Sequence, residues 1–346
     1  MMSRWVVVLA GGVGSRFWPL STPSRPKQLL SLVNENSLLV NTMERLAEVA
    51  PPDHTLILTN ASLVEPIHAA IPSIPRENIV AEPKPAGTAA ALTWAAREIE
   101  KRSGGEATMI CVHADWAIAD NAGFRAALIA AERVAIEDHA LVTVGIIPTR
   151  PDPGFGYIQP GAETESGARE VIRFVEKPER SRAESMLHAG YLWNSGIFVW
   201  RVGDFLDEVR ALTPEVSEAL ADQAEHGLAA FFDAVTPVSV DNGVLERSKR
   251  VRVVAGDFGW DDVGTWAALR RVKPEDESGN VASGRVFALE AGGNVVHAEG
   301  NAVVLYGVSD LVVVTRGGLT LVTTAEKSAD LKTLIDSLPG DLRDLT

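Results

Sequence analysis

Cysteine is nearly absent. Cys111 is the single one in 346 residues and lies in an apolar stretch, so an internal disulfide framework is excluded and a reducing, cytoplasmic setting is expected. Long apolar runs are missing too. No stretch reaches the ~18 residues of a membrane span, and glycines and Arg16 interrupt the run after Arg4, so neither a span nor a secretory leader is expected. Cations are in deficit, 32 Lys and Arg against 46 Asp and Glu. The formal net charge of −14 argues against non-specific binding to nucleic acid or to an anionic membrane, and any phosphate site must carry its own local positive charge. The seven histidines form no H-x-x-x-H or Cys/His cluster, which makes zinc improbable, and no G-x-S-x-G elbow marks a nucleophilic serine.

What is present begins at residues 8–30, VLAGGVGSRFWPLSTPSRPKQLL, directly after an apolar run. A dinucleotide fingerprint fails because Phe17 stands at its third glycine, and a Walker loop fails because no lysine follows the glycines before Lys27. Glycines still let backbone N–H groups approach an anion, and Arg16 and Lys27 add fixed cationic donors, with Arg25 beside them. A solvated turn with incidental charges is the competing reading.

The first half alternates strand and helix. Strands are expected near 6–9, 55–58, 78–81, 109–112 and 140–146, with helices over 38–49, 63–71, 88–99 and about 124–135. Such alternation implies right-handed crossovers and an α/β fold with a mostly parallel sheet, whose ligands sit beyond the carboxyl ends of the strands. The glycine loop and HADW (residues 113–116) both fall at that edge, which raises the loop above a solvated turn. After Pro151 the pattern loosens through GFGYIQPG, VIRFVEKPE, LWNSGIFVW and FGWDDVGTW. From about residue 280, short β-branched runs (295–296, 302–305, 311–315, 319–323) recur between Gly and Asn, followed by a helix over 329–338. The polar stretch VKPEDESGN places a boundary near residue 273, giving domains 1–273 and 274–346.

Several side chains carry candidate chemistry. Asp115 follows a buried strand and is either a cation ligand or a turn carboxylate. Asp261 and Asp262 lie between two tryptophans, and Asp262 could ligate Mg²⁺ with Asp115 or cap the helix near Thr265. Glu176 and Lys177 can serve one ligand only if their strand ends there, as Pro178 suggests. Asn194-Ser195-Gly196 is either a turn or a hydroxyl-reading site.

In this order the pieces resemble the sugar nucleotidyltransferases, and most closely the mannose-1-phosphate guanylyltransferases. The loop matches L-A-G-G-x-G-x-R-x-x-P-L-[ST] over residues 9–21 and is followed by Pro26-Lys27-Gln28. Glu82-Pro83, Thr88-Ala89, Asp115, FGYI, FVEKP, WNSGIF and WDDVGTW follow in the family's order across nearly the whole chain. The resemblance implies a Rossmann-like nucleotidyltransferase domain with a mixed, mostly parallel sheet, followed by a short left-handed β-helix. It implies GTP and mannose 1-phosphate as substrates, Mg²⁺ as cofactor and a homodimer, with no nucleic-acid or membrane partner. Leu9, Gly11, Gly12, Gly14, Gly87 and Thr88 would hold the nucleotide, Glu82 and Pro83 would lie near the base, and Arg16 and Lys27 would hold its phosphates. Gly156, Glu176 and Asn194 would read the sugar and Lys177 its phosphate, while Asp115 and Asp262 would hold the metal. Residues 86–91 read AGTAAA where the family has R-N-T-A-P-A, and Asn242 replaces an aromatic. Another hexose or heptose phosphate, another base, or a non-catalytic nucleotide-sugar sensor therefore stay open. Larger relatives carry an isomerase domain after this region, and none is expected within these 346 residues.

Overall fold

The computed structural model describes residues 3–12 and 14–343; Val13, inside the glycine loop, and both ends of the chain lie outside the described residues. The strands of the first part are β1 (Arg4–Leu9), β2 (Thr55–Asn60), β3 (Ile79–Glu82), β4 (Thr108–His113), β5 (Ala117–Ile118), β6 (Leu141–Ile146) and β7 (Tyr157–Glu163). Then follow β8 (Arg169–Val175), β9 (Leu192–Arg201), β10 (Val251–Gly256), β11 (Trp260–Asp261), β12 (Val281–Leu289), β13 (Val295–Tyr306), β14 (Leu311–Arg316) and β15 (Leu319–Thr324). The chain divides into two compact units, neither continuous in sequence. The first is Met1–Gly11, Met43–His113 and Asp120–Phe258; the second is Gly12–Thr42, Ala114–Ala119 and Gly259–Thr346.

The first unit is built on a nine-stranded sheet of order β3-β2-β1-β4-β9-β6-β10-β8-β7. Val6, Val7 and Val8 are fully buried, so β1 reads as a continuous apolar run, the signature of a strand covered on both faces. Its register sets Leu9 opposite both Leu58 and His113, which aligns the carboxyl ends of β1, β2 and β4. The helix Gly87–Ser103 buries Ala89, Ala90, Leu92, Ala95 and Ala96 completely, small side chains that let the helix lie close to its neighbours. A mostly parallel sheet is realised only across β1 to β4 and between β6 and β10. Strand β9 runs antiparallel to β4, β6 and β7, so the sheet as a whole is mixed.

The second unit draws on segments far apart in sequence. Phe17, Trp18, Leu20, Leu30 and Leu32 share one core with Trp266, Val281, Val295, Val312, Leu321 and Leu331. The Trp266 Nε1–H donates to Trp18 O at 3.2 Å, and Arg316 Nη1 donates to Leu20 O at 2.6 Å. A single cut near residue 273 therefore falls inside this unit, because the arm after the glycine loop buries its large side chains against the C-terminal strands. Those strands form a sheet of order β12-β13-β14-β15, parallel up to β14 and antiparallel at its end. Residues 295–296 and 302–305, expected as separate runs, belong to the one strand β13, and β12 lay in a stretch with too little apolar alternation to be expected. Asn280 and Asn294 stack on successive rungs: Asn294 Nδ2 donates to Asn280 Oδ1 at 2.8 Å, and Asn294 Oδ1 accepts the Leu311 N–H at 2.9 Å.

Candidate active site

Gly14 shows why the loop needs glycine. Its φ is +68°, and a Cβ placed there would lie 2.3 Å from Lys27 Cβ. The loop thus packs backbone directly onto the Lys27 stem, where no side chain fits. Lys27 opens a short turn after Pro26 and is only 7% exposed, so its ammonium must be paired. It donates to Asp115 Oδ2 at 2.9 Å and to the Asp262 carbonyl oxygen at 2.6 Å. Residues 27, 115 and 262 are therefore brought together within the second unit. The neighbouring Asp261 is engaged elsewhere. Buried, it accepts from Arg271 Nε at 2.6 Å and Nη2 at 3.0 Å and from the Val263 N–H at 2.8 Å. Asp261 is the turn carboxylate, and the helical turn near residue 266 starts at Thr265 without a side-chain cap. The Asp115 carboxylate is one-third exposed and is an oxygen donor of the kind Mg²⁺ takes, whereas Asp262 meets Lys27 through its main-chain carbonyl. Arg16 is exposed, and its side chain forms no ion pair or hydrogen bond among the described residues.

In the first unit a second group forms beyond the end of β8. Strand β8 stops at Val175, and Lys177 takes a φ of +39°, so Glu176 and Lys177 are freed from strand alternation. They pair at 2.8 Å and are largely exposed. The Asn194 N–H donates to Gly156 O at 2.8 Å, and a Cβ on Gly156 would lie 2.9 Å from Glu176 Oε2 and 3.5 Å from Asn194 Cβ. Gly156, Glu176 and Asn194 thus lie side by side. Asn194 Nδ2 also donates to Asp241 Oδ1 at 2.7 Å. Burial pushes the Asp241 carboxyl above its ordinary range, against the stabilising hydrogen bond from Asn194.

At the end of β3, Glu82 is partly buried, and the Cβ position of Gly11 lies 3.7 Å from its Oε1. Burial raises its carboxyl to about 7. Pro83 beside it is exposed, as are Gly11 and Gly12, while Leu9 is buried at the strand end. Gly87 opens its helix at a φ of +81°, and a Cβ there would meet Val238 O at 2.2 Å. The Thr88 hydroxyl accepts the Val240 N–H at 2.9 Å. Gly87 and Thr88 therefore clasp the segment that leads into Asp241.

The nucleotidyl transferase family pattern matches residues 5–279. A mannose-1-phosphate guanylyltransferase of Klebsiella pneumoniae is 36% identical over 354 residues, covering 97% of this chain and 74% of that protein. One from Escherichia coli is 35% identical with the same coverage. The chain belongs to the nucleotidyl transferase family, in the group of the mannose-1-phosphate guanylyltransferases. A solved structure described as mannose-1-phosphate geranyltransferase from Thermus thermophilus superposes with a TM-score of 0.89 at 34% identity, covering 97% of this chain and 99% of that one. For a nucleotidyl transferase, the residue that the sequence reasoning left unassigned is Asp241. It opens a π-helical turn, Asp241–Leu245, and such turns recur at functional sites. It lies in residues 239–247, the stretch in which Asn242 departs from the family pattern, and nothing in that stretch gives the carboxylate a partner.

Proposed function

We propose that this nucleotidyl transferase moves a guanylyl group from GTP to mannose 1-phosphate, giving GDP-mannose and pyrophosphate. The observation that carries the reading is Lys27 held between Asp115 and Asp262 directly behind the glycine loop. A phosphate oxygen of the sugar attacks the α-phosphorus, and the bond from that phosphorus to the pyrophosphate oxygen breaks. Two anions must approach, so the chain's contribution is position and charge neutralisation. Lys27 and Arg16 supply fixed positive charge, and Gly11, Gly12 and Gly14 let backbone N–H groups reach the nucleotide. Asp115 and Asp262 would hold Mg²⁺, which supplies further neutralisation of phosphate oxygens. Gly156, Glu176 and Asn194 read sugar hydroxyls, and Lys177 holds the sugar phosphate. Glu82 supports the choice of base: guanine presents two adjacent N–H donors, which one carboxylate accepts together.

The reading extends to a short left-handed β-helix at the C-terminus, supported by the parallel rungs β12 to β14 and the Asn280–Asn294 stack. It includes a homodimer. Phe287 pairs with Val304 and Leu289 with Tyr306 across β12 and β13, and all four side chains are 50–69% exposed. Side chains of this size present roughly 400–500 Å² of apolar surface, about half of what one partner contributes to a standard interface. A cytoplasmic enzyme agrees with the single buried cysteine, and no helix among the described residues is long and apolar enough to cross a membrane.

Pyrophosphate release, measured with Mg²⁺ across four nucleoside triphosphates and several sugar 1-phosphates, tests the proposal. GTP with mannose 1-phosphate should outrun every other pair. A preference for UTP or a heptose phosphate would reassign the substrates, and binding without turnover would make the chain a sensor.

A further inference from the structure

Asn194 can present either end of its amide to a ligand, and the two ends have opposite polarity. What decides between them is the partner on the other end. Here Nδ2 donates to Asp241 Oδ1 at 2.7 Å, and the side chain opposite is a carboxylate rather than a second amide. Asp241 is half-buried at the start of the π-helical turn Asp241–Leu245, a turn tied down by the Val240 N–H on Thr88. The Asn194 main chain is fixed as well, through its N–H on Gly156 O at 2.8 Å. One hydrogen of its NH₂ group is taken by Asp241, which fixes the amide with Nδ2 towards the carboxylate and leaves Oδ1 with one contact among the described residues, the Gly196 N–H at 3.4 Å. Glu176, converging on the same glycine, is another acceptor.

We infer that Asp241 is a positioning residue that locks Asn194 as a hydrogen-bond acceptor, so that the sugar subsite selects for hydroxyls that donate. This rests on the proposed sugar-phosphate reading and adds to it the polarity by which the sugar is chosen. A hydroxyl donates and accepts, whereas a fluorine at the same carbon can only accept. Deoxyfluoro analogues should therefore fare as badly as deoxy analogues at the position facing Asn194. An Asn at position 241 has an NH₂ group of its own that can meet Asn194 Oδ1, which lets the Asn194 amide turn over and present its donor.

The test compares mannose 1-phosphate with its deoxy and deoxyfluoro analogues at carbons 2, 3 and 4, in the wild type, Asp241→Asn and Asp241→Ala. In the wild type one carbon should show a 10- to 1,000-fold loss of kcat/KM that is equal for the deoxy and fluoro compounds. In Asp241→Asn the parent sugar should fall by at least tenfold, the fluoro compound should recover relative to the deoxy one, and the KM for GTP should stay unchanged. A fluoro analogue equal to the parent in the wild type, or the same analogue ranking in all three proteins, overturns the inference. If the wild type turns over no sugar phosphate, the proposed function has failed. The inference is then read from the Asn194 side-chain NH₂ resonances, assigned by their loss in Asn194→Ser. Their displacement in Asp241→Asn supports the lock, and unmoved resonances overturn it.

Discussion

Glu82→Gln should separate what the fold wants from what the nucleotide wants. Burial raises the Glu82 carboxyl from its ordinary 4.5 to about 7. Below pH 4.5 the group is neutral in both folded and unfolded chains and costs nothing. As pH rises towards 7 the unfolded chain ionises first, so stability is lost across that window, and above it the penalty is constant. At 1.36 kcal/mol per pH unit the full rise corresponds to ~3 kcal/mol. The carboxyl keeps part of its hydration, which brings the expected penalty to roughly 1–2 kcal/mol. Glutamine cannot ionise, so Glu82→Gln should gain on the wild type between pH 5 and 7 and hold a constant advantage above that. Denaturant unfolding of both proteins at half-unit steps from pH 4.5 to 8.5 measures this directly. The nucleotide asks for the opposite. Guanine N–H donors favour the ionised carboxylate, so the wild-type KM for GTP should fall as pH climbs to about 7, and Glu82→Gln should lose 10- to 100-fold in kcat/KM for GTP while ATP changes little. Unfolding curves that stay parallel across the pH range would refute the burial argument. A GTP KM that is flat from pH 6 to 8 would remove Glu82 from the base.

Lys27→Met keeps the volume of a buried stem and removes its charge, so the protein should stay folded while turnover falls at least 100-fold. Asp115→Ala instead leaves the Lys27 ammonium without its carboxylate, and should cost ~1–3 kcal/mol of stability as well as turnover. Equal stability losses in the two variants would contradict that asymmetry. The double variant Phe287→Asp, Tyr306→Asp should sediment as a monomer with turnover per chain retained, and an unchanged oligomeric mass would take the β12–β13 face out of the interface.

The elements that could be read from sequence are those whose signal is local. The run WVVVL declares β1 because burial on both faces removes any need for alternation, and the alanines of residues 89–96 declare a helix. The place of β9 between β4 and β6 has no local signal, since it depends on pairings across 47 to 93 residues. The site shows the same division. Gly14 and Lys27 stand out as a glycine-and-cation pattern, and Glu176 and Lys177 as a strand end. The two adjacent aspartates could not be sorted, because what separates them is Arg271 reaching back to Asp261. Asp241 escaped because its meaning lies in Asn194, 47 residues earlier.

The same reasoning changes what the C-terminal segment is for. As a domain of its own, residues 274–346 could be removed at a cost to stability or assembly while the chemistry survived. The second unit argues otherwise. Phe17, Trp18 and Leu20 are 1–6% exposed, and the core that covers them contains Val281, Val295, Val312, Leu321 and Leu331. The helix Leu331–Ser337 packs on the turn Ser15–Phe17, and Arg316 holds the Leu20 carbonyl. Those residues lie on the stretch that joins Gly14 to Lys27. Uncovering three such side chains forfeits roughly 2 kcal/mol each, about 6 kcal/mol together. That is comparable with the whole stability of a typical domain. A chain ending at residue 273 should therefore lose turnover along with the ordered loop, even where the nine-stranded sheet still folds by circular dichroism. Arg316→Met gives the graded version: loss of the bond to Leu20 should cost ~1–2 kcal/mol and lower kcat/KM for GTP while leaving discrimination among sugars intact. A chain of residues 1–273 with normal turnover and heat stability would show that the loop holds itself, and would return the C-terminal strands to a role in assembly alone.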